Sequence, residues 1–335
     1  MYKPVKILII FLFLSIYAFA DTTYVTGNVS GTWTTDGSPY LVTNNLVLQP
    51  SDSLTIDPGV EVKFDGYYRF DIFGTFLAIG TESDSIVFTR NESTNWASLN
   101  FADASNDSNR LEYCRIEYGS YSGYEPYYGV VNCNQSDPTI SNNTISNCSY
   151  DAIHLYFSNS EISDNVIENI SGDGIEAGSY SAPSIHGNQL SAIDGPGINL
   201  ASGDNAEIFD NTLYGTDNGI YLGSGVNSVL TNNSISNASG HGIYLGTGTN
   251  AQILNNNIEN GSQYGIYLNN GGGTVIDSNT VSGNSNGGIY VYRYNNNAEI
   301  TNNHIFNNSN YGIYFDRYND NIIITGNIIS NNSIT

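Results

Sequence analysis

"GIYLGSG" (residues 219–225), "GIYLGTG" (242–248) and "GIYLNNG" (265–271) are one string written three times at intervals of 23 residues. Weaker copies follow, "GIYVYRY" from Gly288 and "GIYFDRY" from Gly312. Reading backwards, the same slot holds Ile153, Ile175, Ile198 and Ile220. A second column repeats at this period: Asn143, Asn165, Asn188, Asn211, Asn233, Asn256, Asn279, Asn303 and Asn327. Apolar residues lie three before and two after each asparagine, as Ile140 and Ile145 do around Asn143. The unit therefore reads I-x-x-N-x-(I/L)-…-G-I-x-L.

Short alternating runs of β-branched residues, punctuated by Gly, Asn, Ser and Asp, predict strands and turns and no helix. A fixed return of about 23 residues predicts a solenoid whose coils pair as parallel strands. The rest of each coil is the crossover, expected to be right-handed. The asparagine column answers a backbone need. Buried turn groups require partners, and an amide offers both donor and acceptor while tolerating left-handed backbone angles. Stacked coils then build an asparagine ladder. Cys114 occupies the ladder position one coil earlier, with Leu111 and Ile116 matching Ile140 and Ile145. Cys133 matches Leu155 and belongs in the core. Three cysteines allow at most one disulfide, so the fold cannot depend on a disulfide framework.

This unit resembles the right-handed parallel β-helix repeat of pectin-lyase-like proteins, including NosD-like and other carbohydrate-associated members. The resemblance runs regularly from Leu111 to Ser333. Before it, "LTIDPGVEVKF", "GTFLAIGT", "SIVFT" and "LEYCRIEYG" look like irregular opening coils. The expected fold is an all-β, single-stranded right-handed parallel β-helix of about a dozen coils. The expected division is a signal peptide (1–20), a cap with irregular coils (21–110) and regular repeats (111–335). The family contains lyases, hydrolases, epimerases, adhesins and binding scaffolds, so the fold alone names no function.

In G-I-x-L the Ile and Leu fill the core, so x points outward. That outward column reads Asn132, His154, Glu176, Asn199, Tyr221, Tyr244, Tyr267, Tyr290 and Tyr314. Two roles suit the five tyrosines. They stabilise the sheet by stacking, or they present flat faces to the sugars of a glycan. "YGSYSGYEPYYG" (residues 118–129) would add an aromatic lip or is an ordinary inserted loop. Two residues before the "GI" isoleucine stand Asp151 and Asp173, so Asp151, His154, Asp173 and Glu176 gather within two coils. Such a corner suits acid/base cleavage of a glycan or a calcium ion, where solvated turn residues are the plainer reading. No other cofactor is expected. His154, His186, His241 and His304 fall at different repeat phases and make no metal column. That argues against the copper role a NosD-like resemblance would imply.

The remaining composition sets the compartment and the partners. Lys3 and Lys6, an apolar run from Ile7 to Tyr17 and the A-x-A of residues 18–20 read as a secretion signal. The run is too short to span a bilayer, and no later segment is apolar enough. The formal charge is -23, which excludes nucleic acid as a natural partner. The expectation is a secreted or surface-exposed protein, extracellular or periplasmic, that binds polysaccharide or cell-surface glycan through the tyrosine stripe without cutting it. The alternatives are a polysaccharide hydrolase or lyase and a structural or adhesive module. Because the last repeat stops after Ile329 without a polar cap, further C-terminal domains are expected.

Overall fold

Strands of three to nine residues are too short to be stable alone, and each gains its partners from the coil before and the coil after. A computed structural model describes residues 22–102, 108–121, 123, 128–202, 205–224, 227–247 and 250–334. The signal segment and much of residues 118–129 lie outside the described residues. All pairings between named strands are parallel, as the repeat requires: one sheet has 13 strands and the other 25. The larger sheet is two columns joined at Tyr40–Leu48. That strand pairs Tyr40–Val42 with Val62–Phe64 and Leu46–Leu48 with Phe70–Ile72. Three columns of strands thus enclose one core.

Register is the repeat made physical. Ile140, Ile162, Ile185, Ile208 and Leu230 are successive partners in one column. Ile153, Ile175, Ile198 and Ile220 are partners in another. All of these are fully buried. The opening coils fill the same space with larger rings, Phe64, Phe70, Phe76, Phe88, Trp96 and Phe101. Phe64 stacks on Trp96 at 4.4 Å. In the last coil Ile324 and Ile329 remain 50% and 41% exposed.

The ladder forms as expected. Asn233 Nδ2 donates to Asn256 Oδ1 at 2.9 Å and to the Ile208 carbonyl, while its backbone N–H also meets Asn256 Oδ1. The pattern repeats from Asn143 to Asn327. Cys114 stands at its start, its N–H donating to Asn143 Oδ1 at 2.8 Å. One detail is corrected. The left-handed residue is the one before each ladder asparagine, such as Asn142, Asp164, Asn232 and Asn255. The turn bends there, leaving the following asparagine to aim inward. The cysteines are free and buried, and burial pushes the Cys133 and Cys148 thiols up to about 12.

Candidate functional site

Each outward side chain sits directly over the equivalent residue of the next coil, because the strands are parallel and in register. Asn132, His154, Glu176, Asn199, Tyr221, Tyr244, Tyr267, Tyr290 and Tyr314 form one unbroken column. The column extends further back than the repeat reveals. Asn100 pairs with Asn132, and Asp71 with Asn100. Asn132 Nδ2 donates to Asn100 Oδ1, and Asn100 Nδ2 to Asp71 Oδ1. Arg69 completes this run with two bonds to the Asp71 carboxylate. The opening coils are longer, 29 and 32 residues between these positions against 22 to 24 later. The insertions hid both residues from a fixed-period reading.

The five tyrosines point outward and are half-buried. Their faces, however, are turned toward one another. Tyr221 and Tyr244 stack at 4.8 Å with planes 2° apart, Tyr244 and Tyr267 at 5.2 Å and 6°, and Tyr290 and Tyr314 at 5.3 Å and 15°. The spacing of paired strands, ~4.8 Å, sets this distance. Tyr267 and Tyr290 break the run, their rings 5.2 Å apart with planes 43° from parallel. His241 packs beside it, its ring 4.7 Å from that of Tyr267.

The corner assembles as its sequence positions suggested. His154 Nδ1 lies 2.9 Å from Glu176 Oε2 and 3.7 Å from Asp151 Oδ2. Asp151 Oδ1 accepts the Asp173 N–H at 2.7 Å, and Asp173 Oδ2 accepts from Asn199 Nδ2 at 2.6 Å. His154 and Asp151 are buried; Asp173 and Glu176 are half-buried. Burial works against charging His154, but bonds and charge from Asp151 and Glu176 outweigh it and hold the imidazolium up to about 9. Burial raises Asp173 to about 7, with the charges of Asp151 and Glu176 adding to it. Burial likewise raises Asp151. For Glu176 the bond to His154 overcomes burial and lowers it.

A groove of about 410 Å³ opens above this corner. Tyr128, His154, Tyr156, Glu176, Gly178, Ser179, Ala201 and Ser202 line it. Of the four corner residues, His154 and Glu176 reach the groove. Asp151 and Asp173 instead tie one coil to the next. The Tyr128 ring stands edge-on to His154, 5.6 Å away. The other histidines lie apart: His186 stacks on Phe209, and His304 lies against Phe306. No helix among the described residues is long and apolar enough to cross a membrane.

A family model described as "Periplasmic copper-binding protein (NosD)" matches residues 21–215 and 104–263. One described as "Right handed beta helix region" matches residues 196–335. No curated protein matches the sequence. Among solved structures, a mutant of the periplasmic alginate epimerase AlgG superposes with a TM-score of 0.69 at 14% identity, covering 86% of this chain and 77% of its own. The alginate lyase AlyF-OU02 superposes with a TM-score of 0.52 at 14% identity, covering 93% and 79%. At such identities the likeness is one of fold.

Proposed function

Because the chain belongs to the NosD family, whose fold it shares with enzymes that act on alginate, we propose that it is an exported scaffold that binds polysaccharide without cutting it. The observation that carries this reading is the groove over His154 and Glu176, open to solvent, from whose wall residue Glu176 the outward column leads through Asn199 to the tyrosines. The groove supplies hydrogen-bonding groups in Ser179, Ser202, His154 and Glu176. The tyrosine hydroxyl edge continues the same polar track along the solenoid. Binding rather than cleavage is favoured because Asp151 and Asp173 are engaged between coils and do not line the groove. Any cleavage would have to run through His154 and Glu176, the two acid/base groups that do line it. Native gels containing different polysaccharides test the reading, with a parallel assay for cleavage products. Retardation without product is expected. Product formation lost in His154→Ala would make the groove an active site, and the absence of retardation on every glycan would remove the reading.

A second reading rests on the corner alone. Ligand atoms of Asp151, His154 and Glu176 all lie within 4.8 Å of one another, and the family description names copper. One imidazole nitrogen with carboxylate oxygens suits a divalent ion such as Cu(II) or Zn(II). It suits calcium less, since calcium takes oxygen ligands. It does not suit Cu(I), which prefers sulfur, because the three thiols are buried in the core away from the corner. A bound divalent ion would displace the imidazolium proton, so affinity should rise with pH. Calorimetric titration with Cu2+ and Zn2+ at two pH values tests this, with Glu176→Gln as the weakened variant. Heats that are absent, or unchanged in the variant, exclude the corner.

A further inference from the structure

If the groove binds a glycan, two features of the molecule say which kind. The first is where the cations are. Among the described residues the fixed cations are Lys63, Arg69, Arg90, Arg110, Arg115, Arg293 and Arg317. Six of them sit against a carboxylate: Lys63 on Glu61, Arg69 on Asp71, Arg110 on Glu112, Arg115 on Glu117, and both Arg293 and Arg317 on Asp316. The seventh, Arg90, lies over the Tyr118 ring and donates to Asn95 and the Ser93 carbonyl. None lines the groove, whose one basic group, His154, is held by Glu176 and Asp151. A uronate carboxylate would enter a site with Glu176 at its wall and no free positive partner, inside a chain of net charge -23. Like-charge contact of this kind disfavours binding.

The second feature is where exposed aromatic rings lie. Phe157 and Tyr180 directly follow the groove residues Tyr156 and Ser179. They are 41% and 73% exposed, against the half-buried tyrosines of the column. Their rings lie 5.3 Å apart, and Phe157 meets Tyr156 edge-on at 4.7 Å. Both residues have left-handed backbones, with φ of 52° and 56°. Asn270, Tyr294 and Tyr318 take this conformation in the corresponding turns of later coils, so the turn itself requires it and the side chain is the variable part. Each ring also exposes apolar surface to water, next in the chain to residues that line the groove. Sugar C–H faces fit that surface, and sugar hydroxyls fit the groove beside it.

We propose that the groove takes a neutral glycan, with a sugar ring stacked on Phe157 and Tyr180 and its hydroxyls bonded to Ser179, Ser202 and Glu176. The ligand class therefore differs from the alginate named for the two structural neighbours. This inference rests on the glycan-binding reading and adds the glycan's charge and its anchor.

The test is affinity electrophoresis of the full chain in dextran, galactomannan and hydroxyethyl cellulose, set against alginate and polygalacturonate. Each gel is run at low and high salt, with Phe157→Asn/Tyr180→Asn and, as control, Tyr294→Asn/Tyr318→Asn, an exposed left-handed aromatic pair remote in sequence from the groove. Asparagine is chosen because it accepts the left-handed backbone, and melting curves confirm that each variant folds. Retardation is expected on at least one neutral glycan, insensitive to salt. The Phe157/Tyr180 variant should lose about tenfold in affinity, and the Tyr294/Tyr318 variant should bind nearly as the parent does. Salt-sensitive retention on the polyuronates alone, or neutral-glycan binding unchanged in the Phe157/Tyr180 variant, overturns the inference and leaves the glycan-binding reading standing. No retardation on any glycan overturns both.

Discussion

One column of outward side chains has two halves with opposite chemistry. From Asp71 to Asn199 it is polar, and no two successive members of the column carry like charge: Asp71, Asn100, Asn132, His154, Glu176, Asn199. From Tyr221 to Tyr314 it is one residue repeated. The backbone is the same in both. What differs is how side chains behave when parallel pairing holds them one strand spacing apart. Identical rings attract at that distance, so a homopolymer of tyrosine is stable. Identical carboxylates repel, so a charged column survives by interleaving amides and by placing His154 against Glu176. The uniform half is two short stacks, Tyr221 to Tyr267 and Tyr290 to Tyr314, with a tilted contact between them. The mixed half keeps groups with unequal neighbours, and the groove lies there.

The comparison can be broken most severely at its charged centre. His154→Ala leaves Asp151 and Glu176 facing each other without the imidazolium, and should cost about 3 kcal/mol in urea unfolding at neutral pH. A loss no greater than that of a surface substitution would mean the charges relax into solvent and the polar half needs no alternation. Next comes the ladder beneath both halves. Asn233→Ala strands the Ile208 carbonyl and the neighbouring amide, at an expected cost of ~1–3 kcal/mol. Asn227→Gly is the control, since Asn227 is exposed with φ of 62° and glycine keeps that turn. Equal losses would deny the ladder its role.

The pH dependence sharpens the contrast. Asp173 is raised to about 7 by burial. The unfolded carboxyl gives up its proton first as pH rises, so folding stability falls between about pH 4 and 7. His154, raised to about 9, contributes stability that is complete below its unfolded value near 6.5 and is lost as pH climbs through about 9. The metal-free protein should therefore melt at progressively lower temperature from pH 4 to 9. Asp173→Asn should flatten the lower part of that slope and gain about 1 kcal/mol at pH 8. A parent whose melting temperature rises over this range would contradict both assignments. The smallest effect belongs to the uniform half. Tyr244→Val removes ring contacts with Tyr221, Tyr267 and His241 and should cost about 1 kcal/mol, whereas Tyr221→Val, with one ring neighbour in the column, should cost about half as much. Equal losses would indicate that strand propensity and not stacking sets the tyrosine preference.

Much of this was legible before any coordinates. The 23-residue return set which residues are partners, and the alternation around Ile153 or Ile243 set which of them point out. Cys114 could be placed at the head of the ladder from its spacing alone. Asp71 and Asn100 could not be placed, because insertions in the opening coils break the period on which that inference depends. A second amide stack was also missed. Asn284, Asn308 and Asn332 bond coil to coil as the main ladder does. In earlier coils the same slot holds Cys148, Ile170, Ile193 and Thr216, so no single residue type marks it.

The sequence by itself determined the solenoid, its core and the membership of the outward column, because a strict repeat converts position into neighbourhood. Ring orientation, the grip of Asp151 and Asp173 on adjacent coils, and the opening of a groove at His154 and Glu176 were decided only in three dimensions. Those outcomes depend on rotamers and on competition among several partners within a few ångströms. A period specifies which side chains meet, and the packed coil decides which of their faces, lone pairs and protons remain available.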